Sequence, residues 1–190
     1  MKEFYRCAWA QGNPLLERYH DTEWGVPNHD DAVHFEHLVL ETFQAGLNWL
    51  TMLKKRENFR RALDNLDPVK IADYGEADFK RLMNDSGIIR NRQKIKAIIN
   101  NAQKFLEVVE NEGGYDNFVW RFQPEKTIVY HRDDDIPAIT SEAEEMSKEL
   151  KSRGFSFAGP TICYAFMQGV GIVNDHTAEC FRFQEIEAGK

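Results

Sequence analysis

"NDSGIIRNRQKIKAIINNAQKFL", residues 84 to 106, decides the fold. An apolar helix ends near Asn84, Gly87 sits in a tight apolar turn with Ile88 and Ile89, and Asn91 can cap a second helix starting at Arg92. Ile95, Ile98, Ile99, Ala102, Phe105 and Leu106 then recur at helical spacing, giving that helix one face for a core. The pattern predicts a helix-hairpin-helix. Such a turn directs main-chain N–H groups and a helix amino terminus outward, which suits a phosphate oxygen, while Arg90, Arg92, Lys94 and Lys96 gather positive charge there. An ordinary αα-hairpin with solvated basic residues fits the same letters.

Outward from this stretch the punctuation is helical. Asn13-Pro14 and Asp67-Pro68 each place a capping side chain before a proline suited to a first helical turn, Ser141 to Glu144 matches a capping box, and Gly159-Pro160 opens an apolar segment. Roughly eight helices fit the periodicity. Thr127 to His131 is the one strand-like piece, with nothing obvious to pair with. Turn-prone acidic stretches at Asn111 to Asp116 and Asp133 to Pro137 mark the places where lobes would divide. The expectation is an all-α protein.

Composition limits what such a protein can do. The 24 Lys and Arg against 31 Asp and Glu give a net charge of −7, so nucleic acid could be held only at a local basic site. Three scattered cysteines do not make a disulfide framework and point to a reducing cytoplasm, where they would bind metal or pack. "MKEFYRCAWA" lacks an apolar stretch of leader length, and the most apolar later run, Gly159 to Val173, is short and interrupted by Gln168. Neither secretion nor membrane insertion is expected.

Two further groups carry chemistry. Cys7 and His20 lie near one end, and His176 and Cys180, four apart, could share a helical face near the other. Two thiolates and two imidazoles would make a closed structural zinc site if the pairs met, which spacing alone does not decide. In "LETFQAGLNWLTMLKKRENFR", residues 40 to 60, Glu41 stands on an otherwise apolar, aromatic face ahead of a basic run. It is either a surface acid paired with Lys54 or Lys55, or a buried group with a function.

"RCAWA", "YHDTEWGVP", "LETFQAGLNWLTMLKKRENF", "GIIRNRQKI" and "TICYAFMQGVGIVNDH" occur in this order over nearly the whole chain, which thereby resembles the DNA-3-methyladenine glycosylase I family of base-excision repair enzymes. The resemblance implies a single glycosylase domain over residues 1–190, all-α and two-lobed. A helix-hairpin-helix lobe would span about 30–112, with segments 1–29 and 113–190 forming a zinc-containing lobe. It implies one structural zinc ion on Cys7, His20, His176 and Cys180. It also implies a base pocket in which Glu41 is the functional carboxylate, with Trp49, Tyr19 and Trp24 around it, and DNA contacts through Gly87, Arg90, Arg92 and Lys94. The expected activity is monofunctional: the chain flips 3-methyladenine out of alkylated duplex DNA and hydrolyses its glycosidic bond, releasing the free base. A monomer is expected.

Other helix-hairpin-helix glycosylases use an aspartate some twenty residues beyond the hairpin. Asp116 lies at about that distance, but this family lacks the catalytic carboxylate and the role is not transferred. The "AGL" segment, Ala45 to Leu47, could wedge into the gap left by a flipped base or simply face the core. The competing reading is a non-catalytic, zinc-containing DNA-binding module. A zinc enzyme is disfavoured, since four protein ligands leave no open position.

Overall fold

The computed structural model describes residues 5–189, so the first four residues of the stretch read for a leader lie outside the described residues. Ten α-helices and four short 3-10 turns make up the regular structure among them. The α-helices are α1 (Pro14–Thr22), α2 (Asp31–Gln44), α3 (Trp49–Ala62), α4 (Pro68–Ala72), α5 (Glu76–Asn84), α6 (Arg92–Glu112), α7 (Tyr115–Val119), α8 (Ser141–Ser152), α9 (Pro160–Gly169) and α10 (Phe181–Ala188).

Local side chains start most of these helices. Asn13, Asp30, Asn48, Asp67 and Asn91 each accept a hydrogen bond from a main-chain N–H in the first turn of α1, α2, α3, α4 and α6, satisfying donors that a helix leaves open. At its other end α6 stops on Gly113 in the left-handed conformation, φ 74°. The capping box expected at Ser141 is displaced by one residue: Thr140 caps α8 by accepting from the Ala143 N–H, and the Ser141 hydroxyl turns to Glu142. The count exceeds the rough eight expected through short elements: α4 and α7 have five residues each, and although Asp67-Pro68 announces α4, nothing periodic announces α7. Thr127 to His131 forms no strand. It has no partner ladder: Thr127 donates to Glu187, the Tyr130 carbonyl accepts from the Ala178 N–H at 2.8 Å, and Ile128 and Val129 are exposed.

Helix α2 lies at the centre, packed by α3, α6, α7 and α9. Every residue from His37 to Phe43 is buried, with Phe35 and His34 one turn earlier. Phe43 meets the Phe59 ring at 4.6 Å, and Phe35 meets Phe105 at 5.0 Å. Each such phenyl contributes roughly 1.5–3 kcal/mol by leaving water. The main core runs from Phe35 to Val173, across the expected boundary at residue 112, while a smaller cluster gathers Cys7, Tyr19, Trp24 and Cys180.

Lys94 is a correction to the sequence reading. Its side chain is buried, and Nζ donates to the carbonyls of Phe43 at 2.7 Å and Ala45 at 2.6 Å, bracing the carboxyl end of α2 against the start of α6. A cation there complements the exposed carbonyls of a helix end. The exit of α9 is fixed as tightly: Gly171, at φ 76°, lies so close to Val26 that a Cβ would stand 2.2 Å from that residue's carbonyl carbon.

Candidate active site and metal centre

A cavity of about 350 Å³ opens where α1, α2, α3 and α9 converge. Trp9, Tyr19, Trp24 and Trp49 form its aromatic walls, and Glu41, Gln44, Asp133 and Gln168 supply its polar groups. Tyr19 and Trp49 meet at 5.1 Å with planes inclined by 51°, and Trp9 stands edge-on to Trp24 at 4.9 Å. Three of the aromatic residues were singled out in the sequence. Trp9 was not, although it lies in "RCAWA".

Glu41 is only 2% exposed, and its Oε2 is sealed from solvent with no hydrogen-bond partner. The alternative of pairing with Lys54 or Lys55 is not what the structure has: Lys55 Nζ donates to the Gly87 carbonyl at 2.9 Å and Lys54 faces solvent. Burial therefore acts unopposed and pushes the Glu41 carboxyl up to about 8. His37, one turn earlier on α2, offers no compensating charge. Burial pushes its imidazole down to about 3, and it lies nearly parallel to Trp49, at 15°. Trp49 Nε1 likewise has no partner. Burial thus favours the protonated carboxyl, and these polar atoms lie among aromatic faces.

Beside the pocket, Cys7, His20, His176 and Cys180 come together, all buried, with ligand atoms within 4.8 Å of one another. His20 Nε2 lies 3.1 Å from His176 Nδ1, and Cys180 Sγ lies 3.4 Å from each of these nitrogens. Cys7 Sγ is 3.8 Å from His176 Nδ1. The opposite ring nitrogens fix the tautomers. His20 Nδ1 donates to Asp21 at 2.8 Å, itself held by Arg6, and His176 Nε2 donates to the Trp24 carbonyl at 2.9 Å. With these outer partners taken, the inward nitrogens are left to act as ligand atoms, and the Cys7 N–H lies 3.4 Å from His20 Nε2. Tetrahedral bonds of about 2.0–2.1 Å to nitrogen and about 2.3 Å to sulfur imply donor separations of about 3.3–3.8 Å, against 3.1–3.8 Å for these four pairs and at most 4.8 Å across the set. The cluster could hold a metal ion.

The α5–α6 turn places the remaining predicted residues. The Gly87 N–H is taken by Asp85 Oδ1 at 2.7 Å, whereas the N–H groups of Ile88, Ile89 and Arg90 find no acceptor among the described residues. Arg90 and Arg92 are exposed, Arg92 lying over the Phe79 ring at 5.1 Å. Lys94 is engaged inside the fold and takes no part in this surface. Asp116 lies outside the pocket, bonded to His29 at 3.0 Å.

A helical fold that holds a buried carboxyl among four aromatic rings has a cavity suited to a flat, polarisable ligand. The chain belongs to the methyladenine glycosylase family, which it matches over residues 9–183. DNA-3-methyladenine glycosylase 1 of Escherichia coli is 49% identical over 178 residues, 92% of this chain and 95% of that one. A crystal structure of 3-methyladenine DNA glycosylase I aligns with TM-score 0.89 at 46% identity, covering 93% of this chain and 98% of the other. The structure that gives the basis of 3-methyladenine recognition by the Staphylococcus aureus enzyme aligns with TM-score 0.88 at 34% identity, over 93% of this chain and 95% of that one.

The displaced carboxyl has a pH signature. Unfolded, Glu41 ionises near its ordinary 4.5; folded and without ligand, it keeps its proton up to about 8, so wild-type stability falls as pH rises between these values. Glu41→Gln has no such proton to lose. Its stability relative to wild type should therefore climb by about 1.4 kcal/mol per pH unit within the window and level off above it. Urea unfolding of both proteins from pH 5.5 to 8.5 checks this, with the Cys/His cluster common to both. A constant difference would show that Glu41 is ionised in the folded protein.

Proposed function

We propose that the protein is a monofunctional DNA glycosylase that turns 3-methyladenine out of alkylated duplex DNA and hydrolyses its glycosidic bond, leaving the free base as product. The observation that carries this reading is Glu41, buried without a partner among Tyr19, Trp24 and Trp49. Adenine methylated at its third ring position is cationic while still joined to deoxyribose. Aromatic faces attract such a cation at roughly 0.5–2 kcal/mol each. Its arrival also reverses the balance at Glu41: a positive charge beside the carboxyl favours ionisation, and the released proton passes to solvent. A neutral adenine cannot drive that change, so discrimination follows from charge.

The lesion is already an activated leaving group. Extrusion into the pocket and exclusion of bulk water leave a hydrolytic step through an oxocarbenium-like transition state. Water adds to the anomeric carbon, the carbon–nitrogen bond breaks, its electron pair neutralises the departing base, and the water's proton goes to solvent. No Schiff base is called for; Lys94, buried at the start of α6, is occupied by two carbonyls.

DNA would be held through the helix-hairpin-helix, with phosphate oxygens meeting the open N–H groups of Ile88 to Arg90 and the Arg90 and Arg92 side chains. Leu47, exposed between α2 and α3 next to Gly46, would fill the gap left by the flipped base. Zinc suits the Cys7, His20, His176 and Cys180 donor set, and four protein ligands make it a structural cross-link. No helix among the described residues is long and apolar enough to cross a membrane. An enzyme of chromosomal repair belongs in the cytoplasm, and one chain supplies the whole pocket.

Incubated with methylated duplex DNA, the protein should release 3-methyladenine, detectable by chromatography; DNA binding without base release would establish the non-catalytic module instead. Folded Glu41→Gln should release it more slowly, by on the order of 1–3 kcal/mol of transition-state stabilisation for a lost charge-assisted contact. Unchanged release would make Glu41 structural. Reversing the charge of Arg90 and Arg92 should weaken binding to normal and alkylated duplex alike and flatten its salt dependence in anisotropy titrations. If both curves match wild type, the DNA face lies elsewhere. Elemental analysis should find one zinc per chain, lost in Cys180→Ser together with a large part of the thermal stability. Full metal content in that variant would rule out this ligand set.

A further inference from the structure

Gln168 lines the base pocket from α9, and nothing in its local sequence marks it except that it interrupts an apolar run. Its amide cannot turn freely. Nε2 donates to Oδ2 of Asp175 at 2.8 Å, and the Tyr164 hydroxyl donates to the same oxygen at 2.5 Å. Asp175 is 4% exposed and Tyr164 3%, so this support lies inside the protein, and the Tyr130 hydroxyl interacts with Tyr164 behind it. A carboxylate oxygen that already receives a hydroxyl proton can only accept, so the nitrogen of Gln168 must face Asp175 and its carbonyl must face away. That carbonyl oxygen has no donor among the described residues and is not sealed from solvent. The main chain of Gln168 is pinned as well: its carbonyl accepts from the Gly25 N–H at 2.8 Å.

We infer that Gln168 is a specificity-determining residue, and that its side-chain carbonyl, oriented by Asp175 and Tyr164, accepts a hydrogen bond from the exocyclic amino group of the flipped base. The inference rests on the glycosylase reading above and extends it to the choice between purines. At the six position adenine carries an amino donor, whereas guanine carries a carbonyl oxygen. Two facing acceptors repel and leave both without a proton, so a fixed acceptor on the protein favours adenine. Charge alone does not make this choice, because both purines are cationic when methylated at the third ring position. Asp175 and Tyr164 are positioning residues: they touch no substrate and act by preventing the Gln168 amide from presenting its donor end.

Duplex DNA methylated to carry both 3-methyladenine and 3-methylguanine tests this in one tube, where the two lesions compete and the ratio of released bases measures relative kcat/KM. Gln168→Met keeps the length of the side chain and removes the acceptor. It should lower the ratio of 3-methyladenine to 3-methylguanine by about tenfold, with the loss falling on 3-methyladenine. In Asp175→Asn the support no longer dictates the amide orientation, so the share of 3-methylguanine should rise although Gln168 is intact. A structural role for Gln168 would depress both bases equally, and the ratio is blind to the fraction of folded protein. An unchanged ratio in both variants, whether release falls or not, overturns the inference while leaving the glycosylase reading in place. Failure of the wild-type protein to release 3-methyladenine would instead remove the reading on which it rests.

Discussion

A helix enclosed on nearly every side gives its polar residues no water to turn to, and α2 is such a helix. Each polar side chain on it must settle its hydrogen bonds within the protein or go without. Thr42 donates to the Leu38 carbonyl, and His34 Nε2 bonds the Asn28 carbonyl. Glu41 finds nothing, and His37 leaves Nδ1 unpaired. An unmet buried polar group costs about 1–3 kcal/mol. The surrounding fold carries that cost. The burial of a single helix thus sets the electrostatics of the pocket it lines.

What was legible in the sequence follows from the range over which each signal acts. The caps at Asn13, Asp67 and Asn91 are local: side chain and recipient N–H lie two or three residues apart, and proline or a change of periodicity announces them. Thr140 against Ser141 is ambiguous at the same range, since either hydroxyl could start α8. Lys94 shows a different failure. Its position, four before Ile98 and in step with Asn101 and Phe105, places it on the buried face of α6, yet its charge suggested solvent and phosphate. Helical phase was the better guide, because carbonyls at the end of α2 supply what solvent would have supplied. Gln168 carried the converse signal, a polar residue one turn beyond Tyr164 in an apolar run. The meeting of Cys7 with Cys180 had no local signal, and only the resemblance to a known family joined them.

The pocket and the Cys/His cluster are parts of one assembly. Trp24 turns its ring to the pocket while its carbonyl accepts from His176. The segment after α1 is bonded to the end of α9 twice, Gly25 to Gln168 and Asn28 to Val170, and Gly171 packs directly on the Val26 main chain. A shift of the cluster would move Trp24, and with it one wall of the cavity. The histidines' outer hydrogen bonds therefore set the shape of the pocket as well as their own tautomers.

The meeting of residues 7 and 20 with residues 176 and 180 also changes what kind of object the chain is. In space it is a ring: the path leaves the cluster along α1, passes through every core helix, and returns to it just before α10. The exposed stretch around Ile128 and Val129 lies between the two pairs in sequence. A cut there would not separate the molecule into independent parts. Each fragment would keep two of the four cluster residues and neither would own a complete set, so the halves would have reason to stay together.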